Sequence, residues 1–271
     1  MAILTETISE PGFSGYLARP ERAAGPLPGV LVIQEAWGVD AHIEDVTRRF
    51  AAAGYVALAP DLFAEGGHRS APFARERMAE LQAFMNAAPP TVFADAGARE
   101  AALAKLPDAE RTRVGESLGA LTSVMAPARR EGLLAAVQAA ARYLREARPE
   151  TRGQRIAALG FCLGGGLSGL LACRDPELGA AVIFYGNPPP AEEIPKIRCP
   201  VMVLVGTADQ RIAGQIPAFS EAMSAAGKRL ESLSYEGAGH AFFNDGRPAY
   251  NLSAARDAFP RVLAFLRDAL V

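Results

Sequence analysis

Residues 155–166 read RIAALGFCLGGG, and this stretch carries the strongest structural signal in the chain. An apolar run ends at Gly160 and leads through Cys162 into further glycines, a pattern typical of a buried strand that turns sharply into a helix with a nucleophile at the turn. Glycine is needed on both sides because a Cβ there would collide with neighbouring backbone. The turn would also place the backbone N–H of Leu163 at a helix N-terminus, where a developing oxyanion can be held.

Outward from this turn, short apolar runs alternate with helical patterns along most of the chain. Strands are predicted at 28–34, 55–59, 155–159, 180–185, 201–205 and 230–235, after an edge hairpin within 3–19. Near-continuous apolar strands separated by helices favour a mostly parallel sheet that is covered by helices on both faces. The sequence therefore predicts a single α/β domain over residues 1–271.

One region does not belong to this alternation. Residues 61–132 show no strand pattern, but Ala-rich helical periodicity recurs at 75–87, 98–106 and 109–121, with prolines between these segments. A structureless loop of this length is rare in a compact domain. We therefore expect a helical insert, a cap over the active-site end of the sheet, at about 71–127. The alternative is a helical insert that packs away from the site.

Two further polar residues follow strands and come after Cys162 in the chain. Asp209 lies in a turn after the strand at 201–205, and His240 lies in a glycine-rich loop after the strand at 230–235. The order nucleophile, acid, histidine is that of α/β-hydrolases and differs from the orders in chymotrypsin and subtilisin. Asp209 would fix the tautomer of the imidazole, although an aspartate at this position could also simply cap the next helix.

An early strand also ends in a carboxylate. Glu35 closes the strand at 28–34, on the side of the sheet where ligands bind in such folds. Its position is compatible with catalysis and equally with capping of the following segment. The N–H of Ala36 is the expected second oxyanion donor, because α/β-hydrolases take it from this turn.

Five short motifs carry a family resemblance. They are QEAWG (34–38), APDLF (59–63), GFCLGG (160–165), GHAFFN (239–244) and RPAY (247–250). Together they resemble the dienelactone hydrolase family over essentially the whole chain except the insert. The resemblance implies an α/β-hydrolase fold and a resting Cys162 thiol held by Glu35, which takes the thiol proton when substrate binds. The bacterial enzymes of this family that act on dienelactone have a carboxylate-binding arginine four residues after the histidine, where this chain has Asn244. A second such arginine would fall near Arg75 or Arg77.

The sequence thus predicts a cysteine-dependent hydrolase of small esters or lactones, working through Cys162, His240 and Asp209. No metal or organic cofactor is implied. The expected pocket walls are aromatic residues at strand ends or beside the site, although each could equally be plain core: Trp37, Phe63, Tyr185 and Phe242.

Other function classes find less support. A class I glutamine amidotransferase also uses a cysteine elbow, but it takes a glutamate two residues after the histidine, where this chain has Phe242. A catalytically idle binding module on a hydrolase scaffold is the third possibility. The net charge of −2 and a pI near 6.0 give no reason to bind nucleic acid or a membrane. Three cysteines and no leader pattern predict a cytoplasmic protein, which we expect to be a monomer or a homodimer.

Overall fold

An eight-stranded sheet lies at the centre of the computed structural model, which describes residues 2–88, 90–93 and 95–270. The strands of this sheet and of a small hairpin are β1 (Ile3–Glu10), β2 (Phe13–Pro20), β3 (Gly29–Ile33), β4 (Val56–Pro60), β5 (Ala64–Glu65), β6 (His68–Arg69), β7 (Ile156–Phe161), β8 (Ala180–Phe184), β9 (Val201–Gly206) and β10 (Leu230–Tyr235). The main sheet has the order β1-β2-β4-β3-β7-β8-β9-β10. Strands β1 and β2 run antiparallel to their neighbours, and the pairs from β4 to β10 are parallel.

Helices follow most of the parallel strands. They are α1 (Ala41–Ala52), α2 (Arg75–Ala87), α3 (Ala96–Leu103), α4 (Asp108–Met125), α5 (Arg130–Arg142), α6 (Leu163–Arg174), α7 (Gln210–Ala213), α8 (Ile216–Ala225) and α9 (Leu252–Leu270). Helix α5 continues through one π-helical turn, Tyr143–Ala147. None of the helices in the described ranges is both long and apolar enough to pass through a bilayer.

The sheet is covered on both faces, as the apolar strands predict. Side chains alternate between the faces along each strand, so Leu31 and Ile33 of β3 belong to one apolar cluster together with residues of α5 and α6. Val30 and Val32 belong to a second cluster with residues of α1 and α9. The central strands β3, β4, β7, β8 and β9 are buried along their whole length. The predicted α/β class, hydrolase-type sheet and edge hairpin are confirmed.

The region between β4 and α5 is helical, as expected, and has its own apolar cluster. Helices α2 and α4 contribute Leu81 and Val114 to it, and the sheet side contributes Trp37 and Phe63. Its helices match the predicted ones closely at α2 and more loosely at α3 and α4. The short hairpin β5–β6 was not predicted, because two-residue strands carry no periodicity.

Candidate active site

Cys162 occupies the sharp turn between β7 and α6. Its φ of +53° is strained for a residue with a side chain, and in the described part of the chain only Tyr185 and Ala241 are other non-glycine residues with positive φ. A Cβ on Gly160 would lie 2.0 Å from the carbonyl oxygen of Gly164, so only glycine fits there. A Cβ on Gly164 would meet the backbone of β3, 2.3 Å from the carbonyl oxygen of Ile33. The elbow predicted from the glycine pattern is therefore present.

His240 and Asp209, which are 31 residues apart in the chain, meet beside this turn. The distance from Nδ1 of His240 to Oδ2 of Asp209 is 2.6 Å. A side chain that only capped α7 would not make this contact. Asp209 is buried, whereas about a third of the His240 side chain is exposed.

The electrostatics of this pair favour an imidazolium next to a carboxylate. Burial opposes the charge on His240, but the hydrogen bond with Asp209 and the neighbouring Cys162 outweigh it and raise the pKa of His240 from 6.5 to about 10. Burial likewise opposes the charge on Asp209, yet its hydrogen bond with His240 leaves the pKa of Asp209 below its usual value. His240 and Asp209 thus form a coupled pair that can hold and move a proton.

Glu35 lies immediately beyond β3 and is almost completely buried. Its Oε2 accepts a 2.6 Å hydrogen bond from Nδ2 of Asn244, the residue that stands where the resemblance leads one to expect arginine. Its Oε1 is buried without a hydrogen-bond partner among the described residues. A buried carboxylate with one unused oxygen can accept a proton from a neighbouring group.

The two expected oxyanion donors lie on segments that are tied together. The N–H of Gly164 donates to the carbonyl of Gln34 over 3.1 Å, which holds the turn after β3 against the elbow. Within the described residues, neither Ala36 nor Leu163 has a protein acceptor for its N–H. Leu163 is the first residue of α6, where the helix itself leaves the N–H free.

A cavity of about 340 Å³ opens next to Cys162. Tyr185 lines it as predicted, and the end of the insert contributes Val124 and Met125 to its wall. A neighbouring cavity of about 780 Å³ shares Val124 and Leu133 with the first. The insert therefore lines the space around the cysteine through the last turn of α4.

The other three predicted pocket aromatics lie elsewhere. Phe242 has no exposed surface and packs between Tyr185 and Tyr235, with ring centroids 5.4 and 5.1 Å away. Its prediction as a pocket wall is wrong, because the loop turns this ring into the core. Phe63 lines the larger cavity and stacks on Phe73 at 4.5 Å, and Trp37 lines a third cavity together with Asn244.

Several contacts at the site were not predicted from the sequence. Asn244 holds Glu35, and the guanidinium of Arg247 lies 4.8 Å from the ring of Trp37. Oε1 of Gln34 accepts a hydrogen bond from the N–H of Leu62, which fixes the chain after β4 against the turn. The only sequence signal for these residues is that they lie within the family motifs, because hydrophobic periodicity does not identify polar contacts.

The remaining two cysteines are buried, whereas Cys162 is partly exposed. Burial raises the pKa of Cys173 to about 11 and that of Cys199 to about 12, so both are neutral thiols at neutral pH. Among the described residues, no cluster of three or more His, Cys, Asp or Glu side chains is arranged to hold a metal ion.

Comparison with known proteins identifies relatives along the whole chain. The model of the dienelactone hydrolase family matches residues 13–270. A relative from Saccharolobus solfataricus, named as a carboxymethylenebutenolidase, is 34% identical over 255 residues, which cover 93% of this chain and 92% of the relative. A relative of the same name from Escherichia coli K12 is 31% identical, over 93% of this chain and 81% of its own. The crystal structure of a dienelactone hydrolase from Klebsiella pneumoniae superposes with a TM-score of 0.69 at 29% identity, covering 98% of this chain and 99% of that one.

Proposed function

Because this chain belongs to the dienelactone hydrolase family, we propose that it hydrolyses small carboxylic esters or lactones through Cys162, His240 and Asp209. The observation that carries the proposal is the 2.6 Å contact between His240 and Asp209 beside a cysteine on a strained elbow. Strain of this kind persists where the surrounding structure enforces it, and it concentrates at functional sites.

The first half of the reaction forms a thioester. The sulfur of Cys162 attacks the ester carbonyl, and the N–H groups of Ala36 and Leu163 stabilise the resulting oxyanion. When the tetrahedral intermediate collapses, the bond to the leaving oxygen breaks. The imidazolium of His240 gives its proton to that alkoxide.

The second half releases the acid. His240, now neutral, takes a proton from a water molecule that attacks the thioester carbonyl, and the same two N–H groups hold the second oxyanion. Collapse returns the sulfur of Cys162 as the leaving group. Asp209 keeps the imidazole in the tautomer that both steps need and stabilises its positive charge.

Glu35 is proposed to prepare the nucleophile. Glu35 directly follows Gln34, whose carbonyl accepts the N–H of Gly164 in the elbow, and its Oε1 is buried and unused. A carboxylate there can take the thiol proton, so that the thiolate forms when a substrate or another electrophile, such as an alkylating agent, occupies the cavity. Water is excluded from this proton transfer because Glu35 is only 2% exposed.

The substrate class follows from the cavity wall. Asn244 donates to Glu35 instead of presenting a positive charge, so the site lacks the arginine that the family's dienelactone enzymes use at this position. Val124, Met125 and Leu133 give the cavity beside Cys162 an apolar side. Arg130 and Arg211 line the same cavity. We therefore expect a small ester or lactone with an apolar acyl or alcohol group, and a capping role for the insert.

The test is turnover of a p-nitrophenyl acyl ester by Cys162→Ala, with Cys173→Ala as the matched control. Cys162→Ala should remain folded, because alanine fits the turn, and should lose hydrolysis. Cys173→Ala removes an equally small thiol on the next helix and should retain it. Residual turnover by Cys162→Ala above a few per cent, with no contaminating esterase, would exclude Cys162 as the nucleophile. If the wild-type protein itself did not hydrolyse the ester, the result would favour the alternative of a catalytically idle binding module on a hydrolase scaffold.

A further inference from the structure

Tyr185 stands in one row with the nucleophile and Glu35. In the sheet register Ile33 of β3 pairs with Gly160 of β7, which pairs with Ile183 of β8. Two residues beyond this row come Glu35 after β3, Cys162 after β7 and Tyr185 after β8. Because β7 lies between β3 and β8, Tyr185 flanks the elbow on the side opposite to Glu35. The N–H of Cys162 also donates to the carbonyl of Phe184, 3.0 Å away, which ties the elbow to the chain just before Tyr185.

The backbone and the burial of Tyr185 are both unusual. Its φ of +38° is costly for an aromatic residue, and it shares positive φ only with Cys162 and Ala241 among the non-glycine residues of the described chain. Its side chain has no exposed surface, although one edge borders the cavity beside Cys162. The ring stands edge-on to that of His240, with the centroids 5.2 Å apart. Such strain in the middle of the site calls for a role beyond filling space.

The hydroxyl of Tyr185 can donate a hydrogen bond, and Oε1 of Glu35 can accept one. Both atoms are buried, and neither has a hydrogen-bond partner among the described residues. Burial, together with the nearby Glu35 carboxylate, raises the pKa of Tyr185 well above its usual range. The phenol therefore stays protonated and can serve as a donor, while a carboxylate oxygen can only accept. Leaving both unpaired would cost the desolvation of each.

We propose that Tyr185 is a positioning residue, whose hydroxyl donates a hydrogen bond to Oε1 of Glu35 and, with Asn244 on Oε2, holds the carboxylate in place beside Cys162. This inference rests on the proposed role of Glu35 as the acceptor of the thiol proton. Asn244 alone would leave the carboxylate free to rotate about its one hydrogen bond. Two donors, one on each carboxylate oxygen, fix its orientation, which is what directed proton transfer from a neighbouring thiol requires.

The experiment measures the alkylation rate of Cys162 by iodoacetamide at neutral pH in Tyr185→Phe, which removes only the hydroxyl. Without the hydroxyl the carboxylate can rotate out of line with the thiol, and misplacement of this kind should slow alkylation about tenfold. Tyr235→Phe is the matched control, because its hydroxyl bonds Asp257 outside the site while its ring packs on the same Phe242. That variant should alkylate at the wild-type rate.

A double-mutant cycle then separates positioning from packing. If Tyr185 acts through Glu35, Tyr185→Phe should slow alkylation in the wild type but not further in a Glu35→Gln background. A wild-type alkylation rate in Tyr185→Phe, or an undiminished effect in the Glu35→Gln background, would overturn the proposal. A melt supplies a second measurement. Loss of a hydroxyl that donates to Glu35 should lower the melting temperature, whereas loss of an unpaired buried hydroxyl should leave it unchanged or raise it.

Alkylation needs no ester substrate, so this test does not depend on turnover. If Cys162→Ala retained esterase activity, the proposed function would fail while the alkylation cycle still reported on Tyr185. If the cycle failed and Cys162→Ala were inactive, only the role of Tyr185 would be withdrawn.

Discussion

The elbow can be tested by adding one methyl group to it, in Gly160→Ala. The new Cβ would lie 2.0 Å from the carbonyl oxygen and 2.2 Å from the carbonyl carbon of Gly164, both of them backbone atoms at the start of α6. A side chain could rotate away from such a contact, but here the helix or the strand must move. Overpacking in cores costs about 1–3 kcal/mol, and a clash between backbones belongs at or above the upper end of that range. We therefore expect a loss of about 3 kcal/mol.

Thermal unfolding followed by circular dichroism measures this loss. For a domain of this size 1 kcal/mol corresponds to about 2 °C, so Gly160→Ala should melt about 6 °C below the wild type. Gly119→Ala is the control, because Gly119 lies within α4 with no atom in the way of a Cβ. It should gain about 1 kcal/mol from helix propensity and melt slightly higher than the wild type.

The same variant should also react more slowly at Cys162, since any shift of α6 moves the elbow. Iodoacetamide alkylation of the folded protein, corrected for the unfolded fraction, measures this change. A Gly160→Ala protein that melts with the wild type and alkylates at its rate would show that the turn is not as tight as the contact distances require. Gly160 would then not be required for the shape of the nucleophile elbow.

Three further outcomes are expected. His240→Ala should abolish ester hydrolysis about as completely as loss of Cys162, because members of a catalytic unit are non-additive. Asp209→Asn should reduce hydrolysis less. Equal turnover of wild type and His240→Ala from pH 6 to pH 9 would remove His240 from the mechanism. Asp209→Asn should lower the pKa of His240, as read by NMR titration of the three histidines. Since that pKa is raised in the folded protein, the stabilising effect of the pair is complete below pH 6.5 and disappears as the pH rises through about 10, so the melting temperatures of wild type and Asp209→Asn should converge there. Leu133 lines both cavities, so Leu133→Ala should enlarge the space beside Cys162 and shift the preference towards longer acyl chains, measured as kcat/KM across a p-nitrophenyl ester series. An unchanged series would mean that the larger cavity does not receive substrate.

The sequence was sufficient wherever the physical constraint is local. The elbow could be predicted because glycines next to a cysteine after an apolar run leave few conformations open. The parallel sheet could be predicted because each central strand is apolar on both faces. His240 and Asp209 could be placed near Cys162 because the ends of parallel strands meet along one edge of a sheet.

Long-range contacts had no such local signal. Nothing near Glu35 indicates that Asn244, 209 residues further on, donates a hydrogen bond to its carboxylate. The motif around His240 did not reveal that Phe242 turns into the core while Tyr185 borders the cavity, because an aromatic residue serves equally well in either place. Helical periodicity located the insert but not the part of it that reaches Cys162, which is the last turn of α4. Periodicity specifies which face of a helix is buried, whereas the neighbour that buries it depends on how the whole chain packs.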